Sequence, residues 1–302
     1  MHHKPVLLNE IIELLDPKPG AIVLDGTIGS GGHAKAFLER IGPEGRLIGL
    51  DQDPEAICRC RKLLGDDPRV TLVQRNLRDL ELVLNDLNMT KVDRILFDIG
   101  LSSDQLADCK RGFSFQTEGD LDMRMNPAVG SKASEYLMTL SEKELARVFY
   151  EYADEHRSRR FASAIVRERK KSPIVTTSRL CQIIENSLPA SHRFEKGKRP
   201  VGNRRNQSTK VFQALRILVN DEFGALHDGM IAAWNRLRPG GRLGVISFHS
   251  GEDRIVKEKF RDYVKNSGGE LVTRKPVIAK RSEIVDNPRA RSAKLRVIGV
   301  RP

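Results

Sequence analysis

Three aspartates each close an apolar run that reads as a β-strand. Asp25 follows Ala21-Ile22-Val23-Leu24, Asp51 follows Leu47-Ile48-Gly49-Leu50, and Asp98 follows Ile95-Leu96-Phe97. Behind Asp25 comes Gly26-Thr27-Ile28-Gly29-Ser30-Gly31-Gly32-His33, with four glycines in seven residues ahead of the helix-like Ala34-Lys35-Ala36-Phe37-Leu38. Glycines between a strand and a helix let backbone approach a ligand that any side chain would push away. That is the chemistry of a nucleotide-type cofactor site. The loop alone does not choose the cofactor, because Gly29-x-Gly31-x-x-Ala34 also satisfies the loose dinucleotide fingerprint.

The carboxylates narrow the choice. Asp51 can accept hydrogen bonds from both ribose hydroxyls of any adenosine cofactor and so does not discriminate. Asp25 does, since a carboxylate at the mouth of the loop repels a pyrophosphate lying on the same amides. S-adenosylmethionine has no phosphate, and its ammonium and sulfonium groups suit carboxylates at Asp25 and Asp98. Asp25 can also cap the following turn, and the two roles are compatible. His33, at a helix start, offers either its ring or its backbone amide, with the amide favoured.

Strands and helices alternate around these residues. Helical spacing over Val6–Leu15 ends at Asp16-Pro17-Lys18-Pro19-Gly20, and strands are expected at 21–24, 46–51, 70–73 and 92–98. Asp53-Pro54 is an N-cap followed by proline at the first helical position. Such alternation implies parallel strands joined by right-handed crossovers. It breaks off for about a hundred residues, in which 101–126 is polar and glycine-rich, 141–169 reads as arginine-bearing helices, and 176–188 gives another helical period. Helices then return over 211–218 and 230–237, Pro239-Gly240-Gly241 turns into a strand at 243–247, and 295–300 alternates as a final strand beside Leu271-Val272-Thr273. The expected fold class is α/β: a Rossmann-like sheet of the S-adenosylmethionine-dependent methyltransferase type, interrupted by an inserted, mostly helical domain. The expected division is a discontinuous domain of residues 1–108 and 207–302 with an insert of 109–206 for substrate recognition.

The 302-residue chain is 39% hydrophobic and 30% charged, which suits a globular protein rather than a disordered one. The start, Met1-His2-His3-Lys4-Pro5, has no signal-peptide core, and no run of about eighteen apolar residues occurs, so no membrane role and a cytoplasmic location are expected. Cys58, Cys60, Cys109 and Cys181 match neither zinc spacing nor a disulfide framework, and no metal site is expected. The net charge of +12 is unevenly spread. Residues 147–210 hold 16 Lys and Arg against 6 acidic residues, residues 271–302 hold 9 against 2, and the rest of the chain is net negative. Two basic blocks on a mildly acidic body favour a polyanionic partner. Six basic residues and two glycines within 192–206 mark a surface loop for that partner.

Motifs along the whole chain carry a family resemblance. Gly29-x-Gly31-Gly32-His33, Asp98-Ile99-Gly100-Leu101-Ser102-Ser103-x-Gln105-Leu106, Arg111-Gly112-Phe113-Ser114-Phe115 and Leu121-Asp122-Met123-Arg124-Met125 are joined by four later ones. These are Phe212-Gln213-Ala214-Leu215-Arg216-Ile217-x-Val219-Asn220, Ser247-Phe248-His249-Ser250, Glu252-Asp253-Arg254-Ile255-Val256-Lys257 and Asn287-Pro288-Arg289-Ala290-Arg291-Ser292. In this set and order the chain resembles the bacterial RsmH (MraW) family of 16S rRNA (cytosine-N4)-methyltransferases.

The resemblance implies methylation, by S-adenosylmethionine, of the N4 amine of a decoding-centre cytidine at position 1402 of 16S rRNA. The substrate is then 16S rRNA, within the small ribosomal subunit or free, and a homodimer is one assembly open to the chain. It also implies cofactor contacts from Gly31, Gly32, His33, Asp51, Asp98 and Gln105, with Leu77 where relatives often carry an aromatic residue. Gly251 stands where leucine is usual, Gly119-Asp120 replaces Gly-Pro, and 198–207 is remodelled. The amine lone pair is delocalised into the ring, so a methylase must align it and help it lose a proton. Asp98 is the expected catalytic residue, holding cofactor or the target amine, with Ser102 or Ser103 as a hydrogen-bonding partner unless these cap the next helix. Phe113 and Phe115 could stack a cytosine or pack in a core, and His249 could touch substrate or be a satisfied core histidine. A cofactor-sensing assembly factor without methyl transfer is the alternative.

Overall fold

The computed structural model describes residues 4–189 and 207–302; the basic stretch 192–206 lies outside them. The chain divides into two compact units, one of Met1–Gly100 with Phe223–Pro302 and the other of Leu101–Glu222.

The first unit carries the sheet. Its elements up to the division are α1 (Leu8–Leu15), β1 (Ile22–Asp25), α2 (Gly32–Ile41), β2 (Arg46–Asp51), α3 (Pro54–Leu64), β3 (Val70–Gln74), α4 (Leu80–Asp86) and β4 (Val92–Asp98). In the second unit follow α5 (Ser103–Ala107), α6 (Ala133–Thr139), α7 (Glu142–Ala153), α8 (Ser158–Arg169), α9 (Thr177–Ser187) and α10 (Thr209–Asn220). The chain then returns through α11 (Glu222–Arg236), β5 (Leu237–Ser247), α12 (Ser250–Asn266), β6 (Gly269–Leu271), β7 (Val277–Ile278), α13 (Arg281–Asp286) and β8 (Lys294–Val300).

The strand order is β3-β2-β1-β4-β5-β8-β6, with β7 also paired to β8. The pairings from β3 through β5 are parallel, and β8 runs antiparallel to β5, β6 and β7. The order reverses between β1 and β4, the switch point beside which open α/β sheets bind ligands. Because side chains alternate along a strand, each strand feeds two cores. Val23, Leu47, Leu96 and Ile246 pack with Ile11, Phe37 and Ile57 on one face. Leu24, Ile48, Phe97 and Val245 pack with Leu80, Met230 and Phe260 on the other. Asp53 caps α3 by accepting from the Glu55 amide at 3.0 Å, and Pro54 opens the helix. Pro239-Gly240-Gly241 does not end before a new strand as expected. It lies within β5, whose pairing with β4 shifts register between Val92 and Arg94.

The second unit is helical, with Leu145, Phe149, Phe161, Ile165, Leu180, Ile184, Val211 and Leu215 in one core. Its boundaries differ from the sequence expectation: it begins at 101 rather than 109 and ends at 222 rather than 206. The reason is α10, whose buried Val211, Phe212, Ala214 and Leu215 complete this helical core and not the sheet. Amphipathic periodicity shows that a helix has an apolar face, not which core receives it.

Candidate functional site

At the carboxyl end of β1 the chain turns through backbone pairing. Gly26 N–H donates to Leu96 O at 2.9 Å, Ile28 N–H to Leu50 O at 2.8 Å, and Gly31 N–H to Ile28 O at 2.8 Å. Gly29 and Gly31 have φ of +52° and +80°, left-handed values that L side chains rarely adopt. A Cβ on Gly31 would also lie 3.0 Å from Cys60 Sγ. Asp51 holds the loop from β2: its Oδ2 accepts from Gly29 N–H at 3.0 Å and its Oδ1 from Asp53 N–H at 2.9 Å. Thr27 Oγ accepts from the Asp98 amide at 2.6 Å, tying loop to β4. Asp25, Gly29, Gly31, Gly32, His33, Asp51 and Asp98 therefore share one edge of one unit.

Their electrostatics are unusual. Asp25 is 1% exposed, and its Oδ1 accepts from Thr27 N–H at 3.1 Å, the capping role allowed from sequence. Burial pushes its carboxyl up to about 8, and the Asp98 and Asp51 charges add to the rise. Burial also raises Asp51 to about 6, against the amides of Asp53 and Gly29. His33 is held down at about 4, mainly by burial, and is neutral at physiological pH. Its Nε2 lies 2.9 Å from Val6 O, so the neutral ring carries its proton there. Nδ1 is then an acceptor, 3.7 Å from Asp98 Oδ2. The His33 ring thus has a structural partner in Val6 O and a nitrogen beside Asp98, in addition to the backbone amide favoured from sequence. Three carboxyl groups and a bare ring nitrogen, with the Arg59 charge acting on Asp51, form a donor set that suits a cationic ligand rather than a pyrophosphate. S-adenosylmethionine fits that set.

Sequence reasoning missed the segment that holds His33. Lys4–Leu7 crosses the loop, with Pro5 so close that a Cβ on Gly32 would lie 3.2 Å from its ring. The far end of the chain clamps it: Glu283 Oε1 accepts from Leu7 N–H at 2.7 Å, and Asn287 Nδ2 donates to Lys4 O at 3.0 Å. Leu7 is fully buried at φ +54°, strained backbone that this clamp sustains. The Asn287-Pro288-Arg289 motif was a signal without a role until its partner carbonyl was known.

Other expected residues have structural duties. Leu77, in the turn after β3, packs on Gly229 of α11 so tightly that a Cβ there would lie 2.0 Å from Leu77 Cδ1. Gln105 belongs to the helical unit, where its Oε1 accepts from Ser102 N–H at 2.9 Å and Ser102 Oγ accepts from Gln105 N–H at 3.1 Å. Ser102 thus caps α5. His249 caps α12 through Nδ1, 3.3 Å from Glu252 N–H, while Glu252 Oε2 accepts from the Phe248 amide at 2.7 Å. Glu252 three residues after His249 was the available signal of a capping box. Gly251 lets the Phe223 ring come close: a Cβ there would sit 2.7 Å from the ring tip, so a side chain would require that ring to move. Phe113 is 6% exposed beneath the Arg111 guanidinium, and Phe115 meets Phe212 edge-on at 5.5 Å. Both pack in the helical core. Among the described residues no His, Cys, Asp and Glu cluster could hold a metal ion, and no helix is long and apolar enough to cross a membrane.

Comparison with known proteins identifies the family. The chain is 44% identical over 313 residues to Ribosomal RNA small subunit methyltransferase H of Heliobacterium mobile, covering 98% of each chain. It is 48% identical over 295 residues to the protein of that name from Deinococcus radiodurans, covering 98% of this chain and 88% of that one. The family model described as the MraW methylase family matches residues 1–301. With loop, carboxylates and match running the full length together, the chain belongs to the MraW methylase family.

Proposed function

We propose that the chain methylates the N4 amine of cytidine 1402 in 16S rRNA, as free RNA or within the small ribosomal subunit, in the cytoplasm. Its methyl donor is S-adenosylmethionine, whose sulfonium supplies an electrophilic methyl group. The observation that carries the reading is Asp98 Oδ2 lying 3.7 Å from the bare Nδ1 of a neutral His33. The Asp98 carboxyl oxygen and the bare Nδ1 can both accept from an N–H donor, either the cofactor ammonium or the target amine. The bound cofactor would supply its methyl group to the target nitrogen, and the amine that receives it would lose one proton. Asp98 aligns the donor and helps that proton depart. Gly29 and Gly31 give the ligand access to backbone, and Asp51 supplies an acceptor for ribose hydroxyls.

The test is to incubate the protein with labelled S-adenosylmethionine and small subunits from cells lacking the enzyme, then map the modified base. Label at N4 of cytidine 1402 supports the reading. Cofactor binding without label in any RNA overturns it in favour of a cofactor-sensing assembly factor.

A further inference from the structure

Within the helical unit, α7 and the start of α8 border a groove of about 1350 Å³. Lys143, Arg147 and Tyr150 recur at spacings of four and three and so share one face of α7. Arg157, Arg159 and Arg160 also line the groove, Arg157 donating to Gln207 Oε1 at 2.6 Å. Tyr150 is 55% exposed and meets the His156 ring edge-on at 6.3 Å, so two planar faces stand among five cations.

Arg147 lies 4.0 Å from Glu151 one turn along α7, but helix stability does not account for the arginines of α8. Three arginines at the N-terminal end of α8, with no acidic residue in its first turn, oppose the helix dipole. Arg159 and Arg160 make no ion pair among the described residues. Two acidic residues, Glu142 and Glu144, also line the groove against the five cations, and Glu144 is engaged, accepting from the Ser141 amide at 2.8 Å and hydroxyl at 2.6 Å. A large exposed tyrosine also contributes nothing to the core at Phe149 and Phe161.

We propose that this groove binds a single-stranded segment of the substrate RNA, with the arginines on phosphates and Tyr150 with His156 stacking an unpaired base. Cations tracking a backbone beside sequence-tolerant aromatic faces are what single-stranded RNA requires. A lipid surface would use the cations but not a ring pair set inside a groove. The inference deepens the proposed function and rests on it only for the identity of the RNA.

The experiment uses the full chain and 16S rRNA transcript, measuring direct RNA binding by filter retention, KM for RNA, and the affinity for S-adenosylhomocysteine. Arg159→Ala with Arg160→Ala is expected to weaken RNA binding and raise KM about tenfold. It should also lower the salt slope by about 1.4, the value for two lost single-strand phosphate contacts, with S-adenosylhomocysteine affinity unchanged. Tyr150→Ala is expected to weaken RNA binding about fivefold, within the range of one lost base stack, and Tyr150→Trp to restore it. Unchanged RNA binding and slope overturn the proposal, as does equal loss of S-adenosylhomocysteine binding. Loss of retention on phosphatidylglycerol vesicles with RNA binding intact also overturns it. Groove-dependent RNA binding with no methyl transfer would defeat the proposed function and leave the groove standing; methylation indifferent to these variants would do the reverse.

Discussion

Around the loop after β1, acidic groups are buried: Asp25 is 1% exposed beside Asp51 and Asp98, and burial raises its carboxyl to about 8, so that a cation is needed to ionise it at neutral pH. Along α7 and α8, positive charge is exposed, with Arg147, Arg159 and Arg160 in solvent around a half-exposed Tyr150. The difference matches two kinds of ligand. A small cation is bound by a few preplaced acceptors whose desolvation is costly before it arrives. A polyanion is bound by many weak, screened contacts that cost the free protein little. One region therefore carries a desolvation cost that its ligand relieves, and the other keeps its charges solvated.

The largest test of that contrast is Asp98→Ala. It should lower methyl transfer by about 100-fold or more, the range for a lost proton-transfer group, while RNA retention on filters stays unchanged. Parallel loss of RNA binding would erase the distinction. Next, Asp25→Asn keeps the acceptor for Thr27 but removes the charge, and should weaken S-adenosylmethionine about tenfold, near 1.4 kcal/mol. In the parent, a cationic ligand favours ionised Asp25, so affinity should rise with pH and level off near 8. The variant should lose that segment of the profile. Its free form should also gain stability. A carboxyl raised from 3.8 to about 8 by folding loses native-state advantage as pH rises through that window, so the gain over parent grows from pH 4 to 8 and is constant above. Thermal melts at several pH values check the sign.

Two smaller effects sharpen the contrast. Asn287→Ala removes the clamp on Lys4 O and should weaken the cofactor about threefold, with a stability loss of about 1 kcal/mol, and leave RNA binding untouched. Calorimetry with S-adenosylhomocysteine reads the first, and urea titration the second. Ser102→Ala, which removes a cap, should cost about 1 kcal/mol of stability by the same titration.

Much of the first region is legible in sequence because its signals are local. Glycines at required left-handed positions, the aspartates closing β1, β2 and β4 and the Asp53-Pro54 cap all lie within a few residues of what they control. What escapes is contact across the chain. A backbone carbonyl has no sequence signature, so the Val6 O that fixes the His33 tautomer, and the Asn287 that holds Lys4, could not be paired in advance. The same limit explains α10: its apolar period is plain, but its destination is decided by the shape of the helical core. Phe113 and Phe115 show the converse, since an aromatic pair in a glycine-rich stretch reads equally as a stacking platform or as the lid of a core. The exposed Tyr150 needed burial to be noticed.

The most direct measurement places both regions on one grid: cofactor affinity and RNA KM for the parent, Asp25→Asn, and Arg159→Ala with Arg160→Ala. The account predicts a crossed result, in which Asp25→Asn moves only cofactor affinity and the arginine pair moves only RNA KM. If either variant shifts both quantities by the same factor, the two regions are not separate sites and the account fails.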